Sequence, residues 1–377
     1  MGALFGVADA QGDRWRRLRK AVNGPFALPK MKSYMEYFTK SNKSMLEYLE
    51  EEAPKGDKLD VRDFVRRYVI NTVGAVALGM EVDAYKDKDC ALMKYGSGLS
   101  EMWRWLVVIM IPSIAALFKV QVYNQKSEKW FTSLMRRYIK TKPLDGNDIL
   151  SHLMKIHRED PNDFDQIGVE KTILQFFFDG YNTSSDVITG LIAFLVANPE
   201  CMSKLQEEVD EVFENKDDGD IDIIPADLLG MSYLDACVSE GMRIASLPAT
   251  SRRVTKAWKI PGTNTILPEG VSVLLPLLSL HMDSEFWENP TEFNPDRWNA
   301  ENKAKIRTGT YGPFGLGPRA CLGNNFAKFM MKMVIIYMVR FYDVENCDNL
   351  AKDFKIDPSN IFSPLGGLKV KLHKRDV

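Results

Sequence analysis

Apolar residues recur at intervals of three and four along most of the chain, which is the spacing of one face of an α-helix. This pattern predicts helices at Leu28 to Ala53, Val61 to Met80, Cys201 to Phe213 and Asn324 to Val339. Each of these helices would bury one apolar stripe against a common core. The turn-rich breaks between the helical stretches are too short to be interdomain linkers.

The pattern changes after Leu247, where β-branched residues alternate with Pro-Gly and Glu-Gly turns. Trp258 to Pro276 is predicted to form strands and a hairpin, and Ile361 to His373 a second hairpin around Gly366 and Gly367. No internal repeat is present. The fold class is therefore mainly α with a small β portion, in a single domain.

Composition describes a globular protein of 377 residues that is 45% hydrophobic and has a net charge of −2. The near-zero charge gives no general attraction to nucleic acid, although Asp13 to Lys20 is locally basic. The five cysteines form no CxxC pair, and the four histidines form no HExxH motif. A disulfide framework and a histidine-based metal centre are thus both disfavoured, and a reducing compartment is expected.

The longest apolar run, Trp105 to Phe118, is short for a membrane span and contains Pro112. It is expected to be a buried helix pair, with a segment resting on a membrane surface as the alternative.

One cysteine lies in an unusual loop, FGLGPRACLG, from Phe314 to Gly323. A lone thiolate can hold only a metal whose other coordination sites are filled, as in haem. Gly317 and Gly323 would permit tight turns and close approach, and the helix that follows would favour a negative sulfur at its N-terminus. Arg319 is placed to reach a haem propionate.

The loop resembles the haem-binding signature FxxGxRxCxG of the cytochrome P450 superfamily, through Phe314, Gly317, Arg319, Cys321 and Gly323. The resemblance implies a haem b cofactor with Cys321 as the iron ligand. An inert cysteine in a glycine-rich turn is the weaker alternative for Cys321 and the default for the other four.

Other motifs follow in the family's order. The ExxR pair Glu240 and Arg243, with Arg297 of a PxxFxPERF-like segment, would form a buried ion network that is structural rather than catalytic. Trp15 and Arg19 match the family's WxxxR helix, whose side chains meet haem propionates. Arg253 matches a further propionate arginine.

The stretch QFFFDGYNTSSD is similar to the family's long central helix, with its [AG]GxxT[ST] motif. Thr183 would organise proton-carrying water, and Gly180 would leave room beside the iron. The chain departs from the motif at Asn182, where an acid is usual, and at Asp179, where a small residue is usual. An amide cannot shuttle protons, so Asp179 takes over the relay or proton delivery is less efficient. The missing acid also keeps open an oxygen-independent rearrangement of hydroperoxides.

The resemblance places substrate-facing residues in three segments, which are largely apolar and fit a lipophilic substrate. They are Phe176, Phe177 and Tyr181 on the central helix, Leu247, Ala249 and Thr250 after ExxR, and Phe362 in the last hairpin. The detailed sequence is most similar to the microsomal animal clan of drug-oxidising and insect detoxifying enzymes.

The implied function of residues 1–377 is that of a haem-binding monooxygenase domain that inserts one oxygen atom from O2 into a lipophilic xenobiotic, steroid or fatty acid. Electrons would come from NADPH through a flavoprotein reductase, docked with help from Arg16, Arg17 and Lys20. The expected location is the cytosolic face of the endoplasmic reticulum membrane.

The resemblance begins at the WxxxR helix, so we expect an N-terminally incomplete P450 fold that lacks the anchor, first helices and first sheet strands. Strands such as Val271 to Leu275 would then have an exposed edge. A truncated haem-binding or inactive product is the remaining alternative.

Overall fold

The structure, a computed structural model, describes residues 6–8, 10–97, 107, 117, 118, 120, 124–161, 164–217, 219–357 and 364–377. This part of the chain is mostly helical. We number its helices α1 Gly12–Phe26, α2 Leu28–Ser33, α3 Met35–Glu52, α4 Val61–Leu78, α5 Ala91–Ser97, α6 Gln125–Thr141, α7 Ile149–Glu159, α8 Gln166–Ala197, α9 Pro199–Glu214, α10 Asp227–Gly230, α11 Ser232–Ile244, α12 Leu277–His281, α13 Ala300–Lys303 and α14 Asn324–Phe341.

The strands are short and lie in three small sheets. They are β1 Leu59–Asp60, β2 Thr250–Arg253, β3 Trp258–Lys259, β4 Ile266–Leu267, β5 Ser272–Leu275, β6 Tyr342–Asn346 and β7 Lys369–Lys374. The first sheet has the order β1-β7-β6, and β2 pairs with β5 and β3 with β4, all antiparallel.

The 32-residue helix α8 runs through the core and packs most extensively on α4, and also on α11 and α14. Its start is fixed by the side chain of Asp165, which accepts the Gly168 N–H at 2.7 Å. Helix α4 ends at Gly79, whose φ of 58° is a left-handed conformation that glycine adopts without strain. These caps fix the length of the two helices that position the site.

The mainly helical fold class is confirmed, and differences are local. The predicted helix Leu28 to Ala53 is broken at Tyr34, which separates α2 from α3. The last predicted hairpin is wrong in its pairing, because β7 pairs with β6 and β1. A distant strand with matching register supplied the hydrogen bonds that a local turn was expected to supply.

The expected exposed edge at Val271 to Leu275 falls on β5. Within the described residues β5 pairs with β2 alone, and the side chains of Leu274 and Leu275 are exposed.

The apolar run Trp105 to Phe118 lies outside the described residues, apart from Val107, Leu117 and Phe118. No single helix in the described part of the chain is long and apolar enough to cross a membrane, although α8 and α9, which meet at 107°, would meet that criterion as a pair.

Candidate functional site

The cysteine loop is held by its own backbone. The Cys321 N–H donates to the Phe314 carbonyl at 2.7 Å, and the Ala320 N–H donates to the Gly317 carbonyl at 3.0 Å. Gly317 has a φ of 79°, which a side chain would strain. A Cβ on Gly317 or Gly323 would meet no atom within 4 Å, so the loop leaves open space beside the cysteine.

The Cys321 side chain is reached by solvent, and yet the protein around it is dense enough to raise the pKa of the thiol by desolvation. The Asp179 carboxylate also raises this pKa. A backbone hydrogen bond from Gly323 and the charge of Arg19 act in the opposite direction. The start of α14, a cation on α1 and a carboxylate on α8 therefore all act on the sulfur.

Helix α1 and the residues before it contact the cysteine loop directly. The Arg319 guanidinium lies 4.1 Å from the centre of the Trp15 ring, and its Nη2 donates to the Ala10 carbonyl at 2.9 Å. Two residues earlier, the Ala8 N–H donates to Gln175 Oε1 of α8 at 3.2 Å. Ala10 thus contacts the cysteine loop, and Ala8 contacts the central helix.

Several guanidinium groups meet at this loop. Burial lowers the pKa of Arg319, and the charges of Arg252 and Arg19 lower it further. Burial likewise lowers the pKa of Arg19, while Cys321 opposes that change. Such mutual repulsion would be relieved by an anionic group bound among the three cations.

The structure places Arg252, and not the expected Arg253, in this cluster. Side chains alternate across a strand, so neighbouring residues of β2 point to opposite faces. Arg252 is half-buried, whereas Arg253 is exposed and its Nε donates to the Gly270 carbonyl at 3.2 Å. Motif matching in the sequence found the Arg252–Arg253 pair, but it did not show which of the two side chains lies on the face of β2 that joins the cluster.

On α8, Asp179 and Thr183 are exposed and lie one helical turn apart. The Thr183 hydroxyl donates to the Asp179 carbonyl oxygen of its own helix. Asn182 is half-buried. A Cβ on Gly180 would contact Val73 of α4 at an ordinary 3.6 Å, so this residue lies close to α4. Its expected role as space beside a ligand stays a prediction.

The expected substrate residues divide between the core and the surface. Phe177 and Tyr181 are buried, with Phe177 4.6 Å from the Phe131 ring and Tyr181 against Gly96. They contact α5 and α6, and their expected substrate-facing role stays a prediction. The helical period explains these contacts, since residues two and six positions before Thr183 cannot share its face.

The remaining substrate candidates are more accessible. Phe176 is half-buried and packs edge-on against Phe26 at 5.0 Å. Leu247 is exposed, and Ala249 and Thr250 are half-buried at the start of β2. Phe362 lies outside the described residues.

The ion network lies behind the loop. Arg243 donates to both carboxylate oxygens of Glu240 at 2.9 Å, and Arg297 Nε donates to Glu240 Oε1 at 3.1 Å. Glu240 and Arg243 are fully buried, and further donors to the carboxylate are the Asn294 N–H and the Trp298 indole, each at 3.0 Å. The charge is thus saturated, as a buried ion pair requires.

Sequence reasoning missed His281. It is buried beside this network, where its Nε2 accepts the Gly312 N–H at 3.0 Å. Its partners are backbone atoms from distant segments, and no local pattern marks them. The next residue after Arg297, Trp298, was likewise not singled out, and its bond to Glu240 also depends on tertiary contact.

The donor set fits a haem. One thiol is accessible on a loop with open space beside its glycines, and three guanidinium groups near it would pair with the two propionates. Within the described residues no group of three or more His, Cys, Asp or Glu could hold a metal ion. A single thiolate ligand to a macrocycle is the arrangement these residues suit.

The fold is helical, one accessible loop cysteine lies near a long helix, and a Glu-Arg-Arg network lies behind the loop. Together these features define a haem-thiolate class of enzyme fold. The family model described as Cytochrome P450 matches residues 5–372, and the chain belongs to the cytochrome P450 family. It is a P450-type monooxygenase, and family membership implies a haem cofactor.

Curated relatives agree along the chain. Cytochrome P450 3A40 of Oryzias latipes is 26% identical over 100% of this chain and 77% of its own length. Cytochrome P450 3A18 of Rattus norvegicus is 26% identical over 98% and 76%. Lithocholate 6-beta-hydroxylase of Mesocricetus auratus is 24% identical over the same shares, 98% and 76%.

Proposed function

We propose that this chain oxidises a lipophilic small molecule at a haem held by the Cys321 thiolate. The observation that carries the proposal is the position of Cys321, which is accessible and lies near both Asp179 of α8 and Arg19 of α1. Bound haem would supply the activation of dioxygen. The residues around the haem would bind it, orient the substrate and deliver protons.

Residues on both sides of the cysteine loop would bind the haem. Arg19, Arg252 and Arg319 would hold the propionates, and the Trp15 ring supports the Arg319 guanidinium from one face. The Gly323 backbone and the Arg19 charge favour the anionic sulfur that a metal ligand must provide.

Proton delivery falls to α8. Asp179 is exposed and close enough to Cys321 for its charge to raise the pKa of the thiol, so its carboxylate can exchange a proton with water at this site. Because the Thr183 hydroxyl donates to a helix carbonyl, its outward lone pairs are free to accept a hydrogen bond from that water. This pair supports the expectation that Asp179 replaces the relay missing at Asn182.

The rival reaction, rearrangement of a hydroperoxide without oxygen or a reductase, needs no acidic group at this helix. A carboxylate on α8 whose charge acts on the Cys321 thiol favours the monooxygenase.

The substrate is proposed to be a lipophilic xenobiotic, steroid or fatty acid. Support comes from the apolar Leu247 beside β2 and from the relative whose name specifies lithocholate, a hydrophobic acid. Electrons are proposed to come from NADPH through a flavoprotein reductase. Arg16, Arg17 and Lys20 are exposed on α1, the helix that carries Trp15 and Arg19, which supports their role in docking. We propose the cytosolic face of the endoplasmic reticulum as its location, from the similarity of the sequence to the microsomal animal clan.

The deciding experiment is the absorption spectrum of the haem-loaded protein, reduced and exposed to carbon monoxide. Wild type should give the red-shifted Soret band of thiolate-ligated iron, and Cys321→Ser should give the band of a neutral ligand. Cys347→Ser, the same change at a half-buried cysteine outside the loop, is the matched control and should leave the band unchanged. An unchanged band in Cys321→Ser would exclude this residue as the ligand.

A further inference from the structure

His281 connects the ion network to the cysteine loop. It is the last residue of α12 and is fully buried. Its Nε2 accepts the Gly312 N–H at 3.0 Å, so a neutral ring carries its proton on Nδ1. Nδ1 lies 3.2 Å from the Arg243 carbonyl and donates to it, and Arg243 Nη1 donates back to the His281 carbonyl at 2.7 Å. The tautomer is thereby fixed by the neighbours.

Gly312 leads into the loop through further backbone bonds. Its carbonyl accepts the Gly315 N–H at 2.8 Å, and the carbonyl of the intervening Phe314 accepts the Cys321 N–H at 2.7 Å. Next to Gly312, the Tyr311 hydroxyl donates to the Ser239 carbonyl of α11 at 3.1 Å. The entry to the loop is therefore attached to the ion-network side at two adjacent residues.

We propose that His281 is a positioning residue: its neutral imidazole fixes Gly312 to the Glu240–Arg243 pair and so holds the loop that carries Cys321. The catalytic meaning of this inference rests on the proposed ligand role of Cys321. The loop position itself can be measured without that role.

The surroundings make the contact dependent on a neutral ring. If Nε2 were protonated, its N–H would point at the Gly312 N–H, and Nε2 could no longer accept the hydrogen bond that Gly312 donates. The charged and titratable groups around the imidazole are Arg243, Glu240 behind it, and the Tyr311 phenol at 5.4 Å between ring centres. Burial lowers the pKa of His281 to about 4, the hydrogen bond to the Arg243 backbone opposes this, and the Arg243 charge adds to it. The acceptor is thus available at neutral pH.

The test compares His281→Gln, which keeps an amide oxygen as acceptor and an NH2 as donor, with His281→Phe, which keeps a ring but no acceptor. In the haem-loaded protein at neutral pH, we expect His281→Phe to raise the ratio of the neutral-ligand band to the thiolate band by about fivefold, because one hydrogen bond is lost. In His281→Gln this ratio should stay within about twofold of wild type. His373→Phe, the same change at an exposed histidine of β7, should leave the proportion unchanged. Equal proportions in wild type and His281→Phe would overturn the proposal.

A second readout separates this inference from the proposed function. In a Cys347→Ser background of the full chain, the rate at which iodoacetamide alkylates Cys321 reports the loop position. We expect His281→Phe to change that rate by about fivefold and His281→Gln to match wild type. If the Phe variant does not fold, His281→Leu takes its place. A wild type that lacks the thiolate band would refute the ligand role of Cys321, while equal alkylation rates would refute the role of His281.

Discussion

Arg243 donates two parallel hydrogen bonds to Glu240, from Nε to Oε2 and from Nη2 to Oε1. Both bonds are 2.9 Å long and shielded from solvent. A bidentate pair of this kind is strong and directional. Since both side chains are 0% exposed, neither charge can turn to water when its partner is lost.

Glu240→Gln should therefore destabilise the protein strongly. The substitution keeps the shape but removes the charge that Arg243 and Arg297 share, and we expect a loss of about 3–5 kcal/mol in the free energy of unfolding. Urea denaturation followed by circular dichroism measures it. Glu345→Gln, which breaks an exposed contact to His373, should leave the free energy of unfolding nearly unchanged. Similar losses in the two variants would show that the buried pair has no special weight.

His281 should make stability depend on pH. Its folded pKa of about 4 lies below the ordinary value of 6.5, so between these values the unfolded chain binds a proton that the folded protein does not. The contribution is fully present above about pH 6.5 and is lost as the pH falls towards 4, by about 3 kcal/mol in total at about 1.4 kcal/mol per unit.

The measurement is the difference in unfolding free energy between wild type and His281→Gln at several pH values. Carboxylates titrate in both proteins and cancel. We expect wild type to lose stability relative to the variant as the solution is acidified. A constant difference from pH 7 to pH 4.5 would contradict the assigned pKa.

Arg252 and Arg253 should differ in haem retention. Arg252 lies near Arg319 and would share a propionate, whereas Arg253 contacts the Gly270 carbonyl. We expect Arg252→Ala to speed haem transfer to a scavenger protein by about tenfold, and Arg253→Ala to change it less than about twofold. The opposite ranking would restore the assignment made from sequence.

Gly180→Ala and Gly241→Ala form a second matched pair. A Cβ on Gly180 meets Val73 at an ordinary 3.6 Å, while one on Gly241 would come within 2.9 Å of Leu191 in the core. Alanine gains about 1 kcal/mol of helix propensity at either position, and crowding offsets that gain only at Gly241. Thermal unfolding should show Gly180→Ala to be the more stable variant. A large loss in Gly180→Ala would mean that α4 and α8 cannot accept even this methyl group.

Asp179→Asn should uncouple oxygen consumption from product formation. If the carboxylate relays protons, its loss lowers product formation by about 100-fold while haem content stays constant. Product per NADPH consumed, measured with a reductase and a hydrophobic test substrate, is the readout. Asn182→Asp added to this variant should restore little, because Asn182 is half-buried whereas Asp179 is exposed. Full recovery in the double variant would move the relay to position 182.

The sequence by itself determined the family, the mainly helical class and the cysteine loop, because these depend on local spacing. FxxGxRxCxG and ExxR each lie within one loop or one helical turn, so their geometry follows from the residues between. The Glu240–Arg297 contact was also anticipated, from motif order.

Only the tertiary structure decided which faces meet. Phe177 and Tyr181 lie in the core because α5 and α6 cover their side of α8, and Arg252 rather than Arg253 joins the cluster because of how β2 is turned. The partners of His281, Gly312 and Arg243, are 31 and 38 residues away. Such contacts are created by packing between distant elements, and the local pattern of apolar and polar residues carries no record of them.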